Sequence, residues 1–302
     1  MADALWPRAS DWIEACTRAH AADPHASPVH VAMLGVPAHR TSLSPTRADT
    51  TPAAVRAALA RFSPYSAEAD LDLTALALVD LGDQRDPDTP HGESATSAAA
   101  AALPQAVVLA LGGDNSITYA VARGVAADGL VTLDAHHDLR DGRSNGSPVR
   151  RIIEGGLDPT RVVQVGISDF ANSAAYTARA RELGITVISR TELERRPIAD
   201  AMAEALEIAG AGPEGRVHVD LDVDVCDRAV APACPASVPG GLSAAQLRAA
   251  ARLAGADPRV VGVDLTEVDA TRDAADGRTV RLVALCVLEV AAGVLLRPAR
   301  PR

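Results

Sequence analysis

The chain has 302 residues, a formal charge of −10 and 48% hydrophobic residues, while aromatic residues make up only 2%. That length and aliphatic content suit a large core and argue against bulk disorder. The acidic balance and the lack of stacking rings argue against nucleic acid or an anionic membrane as a partner. Cys16, Cys226, Cys234 and Cys286 form no CxxC pair, so they read as reduced thiols of a cytoplasmic protein rather than a disulfide scaffold or a zinc site. Met1 to Pro7 lacks a basic stretch followed by an apolar one, so no signal peptide is expected.

In chain order, Trp6 to Ala21 reads as an amphipathic leading segment, and His30 to Pro37 as a first strand stopped by Gly35 and Pro37. Thr51-Pro52 has the form of a helix cap followed by proline at the first helical position, with the helix continuing to Phe62. A second apolar run spans Thr74 to Leu81, and Ser97 is expected to cap a helix over Ser97 to Ala102. Ala106 to Leu111 is continuously apolar, as buried parallel strands are, and ends in Gly112-Gly113-Asp114-Asn115-Ser116. Gly129 to Leu133 is a strand that runs into Asp134-Ala135-His136-His137-Asp138. A Gly/Ser/Asn loop over Asp141 to Pro148 precedes a helix. Strands at Arg161 to Gly166, Ile185 to Ile188, Arg216 to Asp222 and Val260 to Leu265 alternate with helices at Ser173 to Leu183, Ile198 to Ala209 and Ser243 to Leu253. Val280 to Leu296 closes the chain as a long apolar helix. Glu289 within it and Gly293, expected to break it, argue for burial rather than a membrane span. Such alternation predicts an α/β fold with a mainly parallel sheet and helices on both faces, in one domain over residues 1–302.

Reactive groups in such folds gather at the carboxyl ends of strands. Asp134, His136 and Asp138 alternate, so in extended chain they share a face, and Asp220 and Asp222 repeat that spacing at another strand end. Four carboxylates and an imidazole brought together without a cation repel one another and lose hydration, so the pattern points to divalent metal. The oxygen-rich donor set with one imidazole suits Mn2+ better than structural zinc. Two such metals would hold a hydroxide usable near neutral pH.

The blocks Gly-Gly-Asp-Asn-Ser (112–116), Asp-Ala-His-His-Asp (134–138), Asp-Leu-Asp (220–222) with Ala231-Pro232 and Gly240-Gly241-Leu242-Ser243, and Asp264-Leu265-Thr266-Glu267-Val268 resemble the ureohydrolase family of arginases, agmatinases and formimidoylglutamases. The resemblance implies a three-layer α/β/α, arginase-like domain, a binuclear manganese site and a homo-oligomer, trimer or hexamer. It implies that Asp134 and Asp220 bridge the metals, that Asp138 binds the first, and that His136 and Asp222 bind the second. Glu267 would pair with the amidine or guanidine of a small-molecule substrate, and with Asp138 it forms the implied catalytic set. Asn115 stands where the family has a metal-binding His, which implies a weak ligand and a labile first site. Asn145 stands where arginases carry a His, so within the family the chain is most similar to formimidoylglutamases, also in Asp138-Leu139-Arg140 and in Thr41 to Pro45. Arg140, Arg150 and Asn145 are the expected substrate-binding residues, the arginines for a substrate carboxylate. The expected reaction is hydrolysis of N-formimidoyl-L-glutamate to L-glutamate and formamide, a step of histidine degradation. The alternatives are agmatinase or another guanidino-compound hydrolase and, from a different class, a non-catalytic regulator.

Overall fold

The computed structural model describes residue 3 and residues 5–298. Residues 1, 2 and 4, on which part of the signal-peptide reading rests, lie outside them.

The central apolar runs become strands buried on both faces, which favours β-branched and aliphatic side chains at successive positions, whereas the edge strands at Leu78–Asp83 and Thr186–Ser189 are partly exposed. The strands are β1 (Val31–Val36), the short hairpin pair β2 (Tyr65–Ser66) and β3 (Leu71–Asp72), β4 (Leu78–Asp83), β5 (Val107–Gly112), β6 (Gly129–Leu133), β7 (Val162–Ile167), β8 (Thr186–Ser189), β9 (Val217–Asp222) and β10 (Val260–Thr266). Eight of them form one sheet in the order β4-β1-β5-β10-β9-β6-β7-β8. Every pairing in that sheet is parallel.

The helices are α1 (Ala9–Ala22), α2 (Thr51–Leu59), α3 (Pro90–Ala101), α4 (Ile117–Gly124), α5 (Pro148–Glu154), α6 (Ala174–Leu183), α7 (Ile198–Ala209), α8 (Ala244–Ala256) and α9 (Arg278–Leu295). One face of the sheet carries α1, α2, α7, α8 and α9, whose apolar side chains pack on Met33, Leu109, Val131, Val219 and Val263. The other carries α3, α4, α5 and α6 over Leu34, Val108, Ala110, Leu130 and Val162. This is the expected three-layer α/β/α architecture.

Three local expectations fail, each for a physical reason. Thr89, not Ser97, caps α3: its side chain accepts from Gly92 N, with Pro90 following, and Ser97 lies mid-helix with its hydroxyl on Ala120 O. Thr51 is the first residue of α2 rather than its cap. Its hydroxyl donates to Val268 O, and the helix stops at Leu59. Gly293 does not break α9. A Cβ there would lie 2.2 Å from Arg252 O, so glycine is what lets α8 and α9 touch backbone to backbone. Glu289 is buried and bonded by Arg248 and Arg252. Among the described residues, no helix is long and apolar enough to cross a membrane.

Candidate active site

The polar strand ends belong to β5, β10, β9 and β6, which are the four central neighbours of the sheet. That adjacency concentrates Asp134, Asp138, Asp222, Asp224 and Glu267 at one rim. All five are buried.

Asp134, His136 and Asp224 offer ligand atoms that lie within 4.8 Å of one another. His136 Nδ1 is 3.0 Å from Asp224 Oδ2 and 3.4 Å from Asp134 Oδ1. Burial works to lower the imidazole pKa, but the charges of Asp224 and Asp134 outweigh it and push His136 up to about 12. Asp134 is pushed up to about 6, first by burial and then by Asp224. Asp138 and Asp222 are held well above the usual carboxylate range, again by burial first and then by neighbouring acids. Asp134 Oδ2 is buried without a hydrogen-bond partner among the described residues. Acids that repel one another and an orphaned carboxylate oxygen are what a divalent cation would satisfy, and the oxygen-rich set with one imidazole fits Mn2+.

The acid pair of β9 is corrected by two residues. Asp220 is wholly buried within the strand, level with Thr132 of β6 and Asp264 of β10, with its Oδ1 3.4 Å from Thr266 Oγ1. The strand continues to Asp222, and the tight turn over Val223–Val225 swings Asp224 back so that its Oδ1 accepts from Ala135 N. Asp222 and Asp224 therefore stand at the rim, and Asp224 takes the place expected for an acid of the Asp220-Asp222 pair. The signal for it was present, since Asp220, Asp222 and Asp224 all alternate, but an apolar run does not say at which acid the strand ends.

Asn115, the weak ligand the resemblance implies, lies beside Asp138. Its Nδ2 donates to Asp138 Oδ2 at 2.7 Å, while its Oδ1 accepts from Thr118 Oγ1 at 2.7 Å and Thr266 Oγ1 at 3.0 Å. His137 leaves the site as its spacing requires, its Nδ1 2.7 Å from Gln164 Oε1.

Glu267 follows β10 with φ +64°, and Asp138 has φ +50°. Both are non-glycine residues in the left-handed region, which costs energy and clusters at functional positions. Glu267 Oε1 accepts from Asn115 N at 2.8 Å and Asn145 Nδ2 at 2.7 Å. Burial first, then the charge of Asp114, pushes Glu267 up to about 8 despite these donors. Asn145 Oδ1 in turn accepts from Leu43 N, so one amide joins Glu267 to the loop after β1. Asp114 anchors the same loop through Ser42 Oγ at 2.6 Å.

A cleft of about 300 Å3 opens over the acids and is lined by Asp138, Asp222, Asp224 and Glu267 with Arg140 and Tyr176. The Arg140 guanidinium lies 5.8 Å from the Tyr176 ring centroid and has no carboxylate partner among the described residues. Arg150 does not line this cleft. Its guanidinium is spent on the carbonyls of Arg140 and Gly142 and on Glu154, so it braces the loop that presents Arg140. Asn172, not singled out in the sequence, holds the 134–138 segment by donating to Ala135 O and accepting from His137 N. Cys226 and Cys234 are fully buried core residues beneath the site, and burial pushes the Cys226 thiol up to about 12, so they serve packing.

The parallel α/β/α sheet thus carries at its central strand ends a carboxylate–imidazole cluster that could hold a metal ion. The chain belongs to the arginase family, whose model matches residues 29–293. It is 33% identical over 282 residues to the formimidoylglutamase of Bacillus subtilis strain 168, covering 88% of each chain. The crystal structure of formimidoylglutamase from that organism superposes with a TM-score of 0.87 at 29% identity, covering 99% of this chain and 95% of the other. A Trypanosoma cruzi formiminoglutamase solved with Mn2+ shares the fold, with a TM-score of 0.80 at 24% identity over 89% and 95% of the two chains.

Proposed function

We propose that this chain is a manganese-dependent hydrolase that converts N-formimidoyl-L-glutamate and water to L-glutamate and formamide, working as a single catalytic domain. The observation that carries this reading is one cleft holding the acid cage, Glu267 and the carboxylate-free Arg140. The similarity to formimidoylglutamases over most of the chain supports it.

Asp134, His136, Asp222 and Asp224 would hold one manganese ion. Asp138, with the shared acids, would hold a second and weaker one. When bound, manganese supplies a water acidic enough to be a nucleophile near neutral pH. The chain's own residues do the rest. Glu267 Oε1 is taken by the N–H groups of Asn115 and Asn145, which leaves Oε2 to receive the planar amidinium and turn its carbon toward the cage. Arg140 receives a substrate carboxylate as a charge-assisted pair, its guanidinium ordered by Tyr176. Asn145 couples the loop after β1 to Glu267, so closure of that loop and aim of the carboxylate go together. Agmatine, which has an ammonium where this substrate has carboxylates, would meet Arg140 unfavourably.

A homo-oligomer, trimer or hexamer, is part of the proposal, checked by sedimentation equilibrium. A cytoplasmic setting is supported by four free cysteines. The test of the activity is an assay with added Mn2+ on N-formimidoyl-L-glutamate, agmatine and arginine, read for formamide and urea. Formamide from the first substrate alone is expected. Urea from agmatine or arginine without formamide would overturn the substrate, and no turnover of any would favour the non-catalytic reading.

A further inference from the structure

Past Asp138 the chain from Leu139 to Gly142 runs without helix or strand, so no ladder holds its carbonyls. Guanidinium groups from two helices hold them instead. Arg179 Nη1, on α6, donates to Leu139 O at 2.6 Å. Arg150, on α5, donates through Nε to Arg140 O at 2.6 Å and through Nη2 to Gly142 O. Arg140 N donates to Gly146 O at 2.9 Å, and the Arg140 stem lies so close to Gly146 that a Cβ there would come within 2.7 Å of Arg140 Cδ. Arg179 makes two further contacts. The same Nη1 donates to Asp141 Oδ1 at 2.8 Å, and the guanidinium lies 5.5 Å from the centroid of the Tyr176 ring, which Arg140 approaches at 5.8 Å. Tyr176 and Arg179 are three residues apart on α6, so they rise from the same side of the helix. The Arg150 charge meets Glu154 and the Arg179 charge meets Asp141, while Arg140 has no carboxylate partner among the described residues. Three guanidiniums gather here against two acids, and the uncompensated one lines the cleft.

We propose that Arg179 is a positioning residue for substrate recognition: it ties Leu139, Asp141 and Tyr176 into one unit, and so holds the Arg140 guanidinium where a dicarboxylate amidine presents its anionic end. The inference rests on the substrate reading given above and adds the residue that prepares the site for it. An arginine that is free in solution gives up side-chain freedom each time it pairs with a substrate, and one that is already ordered does not. Arg179 does not line the cleft, and its charge is taken by Asp141, so it acts through Arg140 alone. The carboxylate that Arg140 receives is remote from the amidine carbon and is held alike before and during reaction. Loss of Arg179 therefore raises KM and leaves kcat nearly as it was.

The test is steady-state kinetics of the full chain on N-formimidoyl-L-glutamate with Mn2+ in excess. The proteins are the wild type, Arg179→Met, Arg179→Lys, Arg140→Met and the Arg140→Met/Arg179→Met double variant, each checked for folding by circular dichroism. Arg179→Met should raise KM by about tenfold with kcat nearly unchanged. Arg179→Lys should recover most of that loss, because both bonds come from the single Nη1 and one ammonium can donate to Leu139 O and Asp141 together. In the Arg140→Met background, Arg179→Met should add nothing further, since the residue through which it acts is gone. If Arg179→Met does not fold, Arg179→Gln takes its place in the same cycle. An unchanged KM, a fall in kcat at constant KM, or an equal loss with and without Arg140 overturns the positioning role while leaving the substrate reading standing. A wild type that does not turn over N-formimidoyl-L-glutamate overturns the substrate reading and the positioning role together.

Discussion

At the scale of single residues, the chemistry is divided between acids that face a cation and neutral groups that aim them. Glu267 is the sharpest case: a strained backbone, two amide donors on one carboxylate oxygen and a free second oxygen. Glu267→Gln removes the charge that receives the amidinium, and kcat/KM should fall by about 100-fold or more with the chain still folded. Asn145→Ala should raise KM and lower kcat together, by about tenfold in kcat/KM, because loop and carboxylate lose their common tie. Steady-state kinetics with Mn2+ in excess checks both. The residue types of the site were legible in the sequence as alternating acids beside an imidazole, but their register was not. Alternation in extended chain groups Asp220 with Asp222, whereas the turn after Asp222 is what returns Asp224 to His136. Arg150 shows the same limit, since only the fold reveals that its guanidinium is consumed by backbone carbonyls.

At the scale of elements, the cleft depends on how the loop between β1 and α2 is tied down. Asp114 holds Ser42, Asn145 holds Leu43 N, and Asp269, after β10, accepts from Arg47 N at 2.9 Å and Thr271 Oγ1 at 2.6 Å. Asp269→Ala orphans those donors, and at about 1–3 kcal/mol it should lower Tm by several degrees and expose the loop to limited proteolysis first. The α8–α9 contact is the second tie. Gly293→Val would drive a side chain into Arg252 O, and should destabilise the fold by more than the few tenths of a kcal/mol ordinary at a surface site, as read by urea titration. Helices and strands were legible from periodicity and continuous apolar runs. What the sequence could not show was that Thr89 would outcompete Ser97 as a cap, or that Gly293 would serve a helix contact rather than end a helix. Both depend on which backbone groups come together in three dimensions.

At the scale of the whole molecule, the sheet order places β5, β10, β9 and β6 side by side, and so gathers acids from residues 114 to 267 at one rim. Parallel order is set by long crossover connections, so no local pattern encodes it. Only the repulsion among the acids hinted that they meet around a cation. Because the cage exists only in the folded chain, Mn2+ should stabilise it: about 2.7 kcal/mol at 100-fold excess over Kd, seen as a higher Tm that chelation reverses. The proposed chemistry requires a cation at that cage. The most direct measurement is an anomalous-scattering map from crystals grown with Mn2+. The strongest peak is expected within coordination distance of Asp134, His136, Asp222 and Asp224. A peak coordinated by Asp220 and Asp264, or no peak at the central strand ends, would contradict it.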